Sequence, residues 1–202
     1  MAEAVQDEAV QDEAVQDEAA HDDGGHGEAA HGDKASLISD DERKALTEAR
    51  DRIRAEYLVS REHRPPTTGR GIHHTALICR DVETTVDWYQ NVAGFPVTVL
   101  FENRDLAGST HFFFDVGNGN CLAFFDLPGV DPGPYAEVLG GLHHLAISVP
   151  EPQWHEIRAR LDERGIPYDV HSGSSIYTTD PDGARIEFLH DPLGEMYGHP
   201  TT

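Results

Sequence analysis

Apolar residues in this chain fall into short runs separated by polar, glycine-marked turns, and the runs form two matching sets. Gly71-Ile72-His73-His74-Thr75-Ala76-Leu77 opens the first set. Gly141-Leu142-His143-His144-Leu145-Ala146-Ile147 opens the second, seventy positions later. In the first set the pattern predicts a strand over residues 72–79, then Asp81 as the cap of a helix over 82–92 that carries Val86, Trp88 and Tyr89. Gly94-Phe95-Pro96 turns the chain into a strand over 97–101. Strands over 111–116 and 121–125 then form a hairpin around Gly117-Asn118-Gly119. The second set repeats this order. It predicts a strand over 142–149, a helix over 151–164, the turn Gly165-Ile166-Pro167, and strands over 168–170, 175–179 and 185–189. Asp180-Pro181-Asp182-Gly183 joins the last two strands. The predicted fold class is α+β: two tandem βαβββ modules, 71–128 and 140–198, curling into a half-barrel around a shared metal site, with an N-terminal helix and a disordered acidic tail.

Upstream of the repeats the pattern changes. Residues 1–36 are low in complexity, with Glu-Ala-Val-Gln-Asp written three times from Glu3. A five-residue period matches neither helix nor strand, so burial cannot offset the entropy of ordering and a disordered tail is expected. Residues 37–66 form a second segment. Ser39 and Glu42 have the spacing of a capping box for a helix over about 40–60, with Leu46, Ala49, Ile53 and Tyr57 on one thin apolar stripe, before Arg64-Pro65-Pro66 opens a linker. The domain carrying the repeats is then 67–202.

Charge and composition narrow the partners. Of 202 residues, 37 are acidic and 15 basic, for a formal net charge of −22. Half of that excess lies in residues 1–33, which hold eleven acids and no Lys or Arg; the remainder still carries −11. This argues against nucleic acid or an anionic membrane as partner. No apolar run is long enough to span a bilayer and the start does not read as a secretion signal, so a cytoplasmic protein is expected. Two cysteines, Cys79 and Cys121, read as small strand hydrophobes.

Candidate chemistry follows from strand parity. Alternate strand residues face opposite sides, so His143, Leu145, Ile147 and Val149 share one face, suited to packing beneath the helix. His144, Ala146 and Ser148 share the other. By the same register His74, Ala76 and Ile78 face the cavity in the first repeat. Aligning the hairpins on Gly119 and Gly183 matches Phe113 with Tyr177 and Ala123 with Glu187. A carboxylate among strand residues is costly to bury unless paired or metal-bound. A salt bridge to a neighbouring Arg is one explanation; the repeat symmetry instead carries Glu187 to the cavity of His74 and His144. Two imidazoles and one carboxylate with open positions opposite form the facial triad of non-haem Fe(II) oxygenases. The same ligands also suit Zn, and Mn, Ni or Co remain open.

The paired βαβββ units, the Gly-x-His-His strand openings and the Asp-Pro-Asp-Gly-x-x-x-Glu ending (Asp180 to Glu187) resemble the vicinal oxygen chelate superfamily over about residues 70–198. That superfamily includes glyoxalase I, fosfomycin and bleomycin resistance proteins, methylmalonyl-CoA epimerase and type I extradiol dioxygenases. Glyoxalase I and the epimerases usually add a fourth protein ligand where this chain has Ala123. The extradiol enzymes use two His and one Glu, matched here by His74, His144 and Glu187. The resemblance therefore implies a metal-dependent enzyme, with Fe(II)-dependent ring cleavage of a catechol-like aromatic by dioxygen as the first reading. A glyoxalase-type lyase or isomerase of a small carbonyl compound is the second, and a non-catalytic resistance-type binding protein the third. Tyr177, ten residues before Glu187, matches the tyrosine that helps to hold the catecholate. The acid/base histidine of those dioxygenases is replaced by Asn120, which leaves His111, His171 or water for proton transfer, with His171 the first substitute. Phe112, Phe114, Phe124 and Phe125 are candidates to line the pocket, half of them facing the core instead. Units of the superfamily often pair between chains, so a homodimer is a further expectation, with the helix at 40–60 as a possible contributor.

Overall fold

A computed structural model describes residues 38–60, 62–192, 195–196 and 199–200. The expected disorder of 1–36 lies outside the described residues. The chain divides after Leu58 into two compact units. In the first, helix α1 (Asp40–Tyr57) starts as its sequence requires. The Ser39 side chain accepts from the Glu42 N–H and the Glu42 carboxylate accepts from the Ser39 N–H, with Asp40 and Asp41 beside the positive helix end. Its apolar stripe of Leu46, Ile53 and Tyr57 is exposed.

The second unit holds both repeats. In the first, β1 (His74–Cys79), β2 (Val97–Glu102), β3 (Thr110–Asp115) and β4 (Cys121–Asp126) form a sheet of order β1-β4-β3-β2. In the second, β5 (Leu145–Ser148), β6 (Tyr168–His171), β7 (Ser175–Thr179) and β8 (Arg185–Leu189) form a sheet of order β5-β8-β7-β6. The outer pair β1–β4 and its counterpart β5–β8 are parallel and the other pairs antiparallel. The architecture is mixed α+β with two four-stranded sheets. Two short strands near the C-terminus, β9 (Glu195–Met196) and β10 (His199–Pro200), pair with each other; two-residue strands leave no periodic signal in a sequence.

Helix α2 (Val82–Asp87), capped by Asp81, does not continue as an α-helix through residue 92. From Trp88 to Ala93 it widens to π geometry, and the Tyr89 carbonyl accepts from the Phe95 N–H at 2.9 Å. Trp88, Tyr89, Val92 and Ala93 are all buried along that stretch. Helix α3 (Glu151–Arg164) buries Trp154, Ile157 and Leu161. Both helices end at a left-handed residue, Gly94 at φ 83° and Gly165 at φ 62°, a conformation that a Cβ would strain. The two Gly-x-Pro turns thus stop the same helix in each repeat.

The core lies on the helix side of both sheets and is continuous. Tyr89 packs on Phe114 and Phe124 of its own sheet, while Trp88 and Phe95 reach Phe188 of the other. Burying each such aromatic side chain contributes roughly 2–3 kcal/mol, which makes this shared layer the main tie between repeats. Polar contacts complete it. Tyr89 Oη donates to Asp180 Oδ2 (3.1 Å) and Arg160 Nε to the Val92 carbonyl (2.7 Å). Burial pushes the Asp180 carboxyl above, and the Tyr89 phenol well above, their ordinary ranges. Phe112, Phe114 and Phe124 all enter this core, more than the expected half of the four phenylalanines, and Phe113 joins Phe125 on the opposite face. Cys79 is buried, Cys121 partly so, and both are free; burial pushes the Cys79 thiol up to about 11.

Candidate metal centre

The hairpin registers reproduce the alignment of the repeats. Phe113 pairs with Ala123 across β3–β4, and Tyr177 with Glu187 across β7–β8. Ala76 pairs with Ala123 and Ala146 with Glu187 across the parallel ladders. Glu187 therefore sits between Ala146 and Tyr177, on the face opposite buried Ile186 and Phe188. His144 stands just ahead of the strand, and its Nε2 lies 3.1 Å from Glu187 Oε2. The Glu187 side chain is 6% exposed and that of His144 31%. A carboxylate so covered requires a partner. The partner is this imidazole rather than an arginine, because Arg185 is engaged by Glu137 at 2.9 Å.

Tyr177 closes one side of the pair, with its ring 5.9 Å from that of His144. His171 packs on the other side of Tyr177 at 4.9 Å. His144, Glu187, Tyr177 and His171 thus occupy one neighbourhood on the second sheet. His74 belongs to a different one. It lies on the first sheet, 5.9 Å ring to ring from Phe113, and the structure does not bring it to His144 and Glu187. Among the described residues no group of three or more His, Cys, Asp or Glu side chains is arranged to hold a metal ion. His74 belongs to the first sheet and Glu187 to the second, and among the described residues no hydrogen-bonded strand pair joins the two sheets. Asn120 is engaged elsewhere, its amide donating to the Gly117 carbonyl in the hairpin turn.

One departure from parity concerns His143. It was expected on the face beneath the helix with Ile147 and Val149, which are buried there. Its side chain is instead 64% exposed. Regular strand begins only at Leu145, so the two-residue period does not extend back to His143. Its Nδ1 lies 2.7 Å from His144 Nδ1, and the first repeat has the same arrangement, His73 Nδ1 to His74 Nδ1 at 2.8 Å. Glu137, in the connection between the repeats, faces the outer nitrogen of His143 at 3.8 Å. The doubled histidines signalled the ring pairs; nothing in a loop sequence could signal Glu137.

His111 is the other residue of note. Its ring lies against Phe125 (3.8 Å), Phe113 (4.4 Å) and Phe101 (5.2 Å), and its Nε2 is buried with no hydrogen-bond partner. Desolvation, then the charge of His74, holds its pKa below the ordinary imidazole value. A cleft of about 340 Å³ runs beside β1, lined among others by Ala76, Arg80, Tyr135 and Asp182, and none of the expected metal ligands lines it. No helix among the described residues is long and apolar enough to cross a membrane.

Comparison with known proteins agrees with this architecture. Residues 71–188 match the family model described as Glyoxalase/Bleomycin resistance protein/Dioxygenase superfamily, and the chain belongs to that superfamily. It is 27% identical over 141 residues to "Putative ring-cleaving dioxygenase MhqA" of Bacillus subtilis, covering 64% of this chain and 43% of that protein. The chain thus spans less than half of MhqA. Metallothiol transferase FosB of Lysinibacillus sphaericus is 28% identical over 127 residues, covering 60% of this chain and 82% of FosB. Among solved structures, a glyoxylase/bleomycin resistance protein/dioxygenase domain from Frankia superposes with a TM-score of 0.54 at 18% identity. It covers 63% of this chain and 96% of that one, and shows the fold.

Proposed function

We propose that this chain is a metal-dependent enzyme that opens a catechol-like aromatic ring with dioxygen, using Fe(II) held by His74, His144 and Glu187. The observation that carries the reading is the buried Glu187 carboxylate, whose one ion-pair partner among the described residues is His144 Nε2, while the matching position of the first repeat is Ala123. That donor set fits a divalent metal and leaves the fourth ligand position of the lyase-type members unfilled. Bound Fe(II) would supply the sites at which a catecholate and dioxygen meet. The chain's own residues bind and orient. The Tyr177 hydroxyl suits a substrate oxygen, and His171, packed on Tyr177, is the nearby group able to move a proton. An apolar wall of Phe113, Phe125 and Phe101 suits the ring. Similarity to part of MhqA supports the same chemistry.

In this reading the centre is completed between two copies of the chain. His74 shares its sheet face with Ile78, Val99 and Phe101, all large hydrophobic residues left exposed, which a second copy would cover. Anaerobic loading with Fe(II) followed by 2,3-dihydroxybiphenyl and air tests the chemistry; oxygen uptake with a yellow product is expected, and no uptake by iron-loaded protein sinks it. Glu187→Gln should lower turnover about a hundredfold or more. Mixing inactive His74→Ala and Glu187→Gln proteins should restore about a quarter of the activity through mixed dimers, and no restoration would place each site within one chain. Similarity along most of FosB favours a second reading, metal-dependent thiol transfer, which turnover of a thiol with Mn²⁺ or Zn²⁺ in place of oxygen uptake would support.

A further inference from the structure

The adjacent histidines at each strand opening bond to each other through their Nδ1 atoms, at 2.7 Å for His143 and His144 and 2.8 Å for His73 and His74. The rings meet edge to face in both repeats, at 75° and 77°. Two ring nitrogens at that distance share one proton, so one donates and the other accepts. The choice fixes the far nitrogen of each ring. When His143 Nδ1 donates, His144 carries its proton on Nε2 and gives it to Glu187. When His144 Nδ1 donates, its Nε2 presents a lone pair, the form a metal requires.

The second repeat has groups that act on this choice. Arg185 Nη1 lies 3.4 Å from His143 Nε2 and can only donate, while Glu137 Oε2 lies 3.8 Å from the same nitrogen and can accept. Arg185 also donates to Glu137 at 2.9 Å, so the two sit together at the outer end of the pair. The Tyr135 hydroxyl, 2.7 Å from the Leu142 carbonyl and 3.2 Å from that of His143, fixes the backbone there. Among the described residues His73 has no such acid behind it.

We propose that His143 is a positioning residue that sets which nitrogen of His144 carries the proton, with Glu137 as the acceptor that holds the pair in its metal-binding form. Without metal, Arg185 donates to His143 Nε2, His143 Nδ1–H to His144 Nδ1, and His144 Nε2–H to Glu187. With a metal on His144 Nε2, His144 Nδ1–H would donate to His143 Nδ1, leaving His143 Nε2–H turned toward Glu137. The inference rests on the reading that His144 is a metal ligand.

The test uses the full chain, Zn²⁺ as a redox-inert probe, and only the binding that Glu187→Gln abolishes. His143→Leu should weaken that binding by about 10- to 100-fold, whereas His143→Asn, whose side-chain oxygen can accept at the Nδ1 position, should stay within about threefold of the parent. Parent-like affinity in His143→Leu overturns the inference and leaves the functional reading standing. A parent that binds no Zn²⁺ sensitive to Glu187→Gln overturns both. Should His143→Leu not fold, imidazole ¹⁵N spectra of the parent decide: a His144 proton that moves from Nε2 to Nδ1 on adding Zn²⁺ supports the inference, and one on Nδ1 in both states overturns it.

Discussion

The two repeats share a backbone and differ in what they expose. The registers of β1–β4–β3 and β5–β8–β7 coincide position for position, and in each repeat paired histidines at the start of the first strand bond through Nδ1. On the open face, however, the first repeat presents Ile78, Phe113, Ala123 and Phe125 where the second presents Ser148, Tyr177, Glu187 and Leu189. The buried face is apolar in both, with Phe112, Phe114 and Phe124 in one and Ile176, Ile186 and Phe188 in the other. Packing density constrains the core side of a sheet far more than the open side. A duplicated unit can therefore vary its open face while keeping its core: at matched positions the second repeat carries Tyr177 and Glu187, the first Phe113 and Ala123.

The largest expected effect concerns the layer the repeats share. Phe188→Ala should cost about 4 kcal/mol in urea unfolding, since this ring fills the space between Trp88 and Phe95 of the other repeat. A cost below about 1 kcal/mol would mean that the repeats do not rest on one another. Giving the second repeat the residue of the first, Glu187→Ala, should weaken calorimetric metal affinity about a hundredfold, or about 2.7 kcal/mol. The same change should shift metal-free stability by less than about 1 kcal/mol, because losing the pair also removes a buried carboxylate.

A smaller effect separates the open faces by pH. His111 resists protonation in the folded chain, so below about pH 6.5 the unfolded chain binds the proton more readily and stability falls with acidification. Above that pH the group contributes no slope. His111→Phe keeps the ring stacked on Phe125 and should gain stability relative to the parent as pH drops from about 7 to 5; parallel pH curves would show that His111 is not desolvated. The smallest change is expected at the exposed Asp87–Arg164 pair between the repeats, where Asp87→Asn should cost no more than about 1 kcal/mol.

Much of this was legible in the chain. α3, β7 and β8 fall where periodicity and turn residues place them, because each is a regular run bounded by a strong punctuator such as Gly165 or Gly183. The hairpin alignment that matched Phe113 with Tyr177 and Ala123 with Glu187 needed only two glycines, and the two ladders pair those positions alike. Less legible was the π-helical stretch from Trp88 to Ala93, since its widened turn depends on aromatic packing against both sheets and not on local propensity. The exposed position of His143 escaped parity because the strand had not yet begun.

Sequence alone determined the duplication, the succession of elements along each repeat, the matched histidines and the single asymmetric carboxylate, all consequences of local period and internal comparison. Tertiary structure decided which of those groups meet. It joined His144 to Glu187, left His74 on another sheet, and brought Glu137 and Arg185 to the outer nitrogen of His143. Such meetings depend on how two sheets pack through a common core and on where a connecting loop returns, and neither quantity is written in the spacing of residues along a strand.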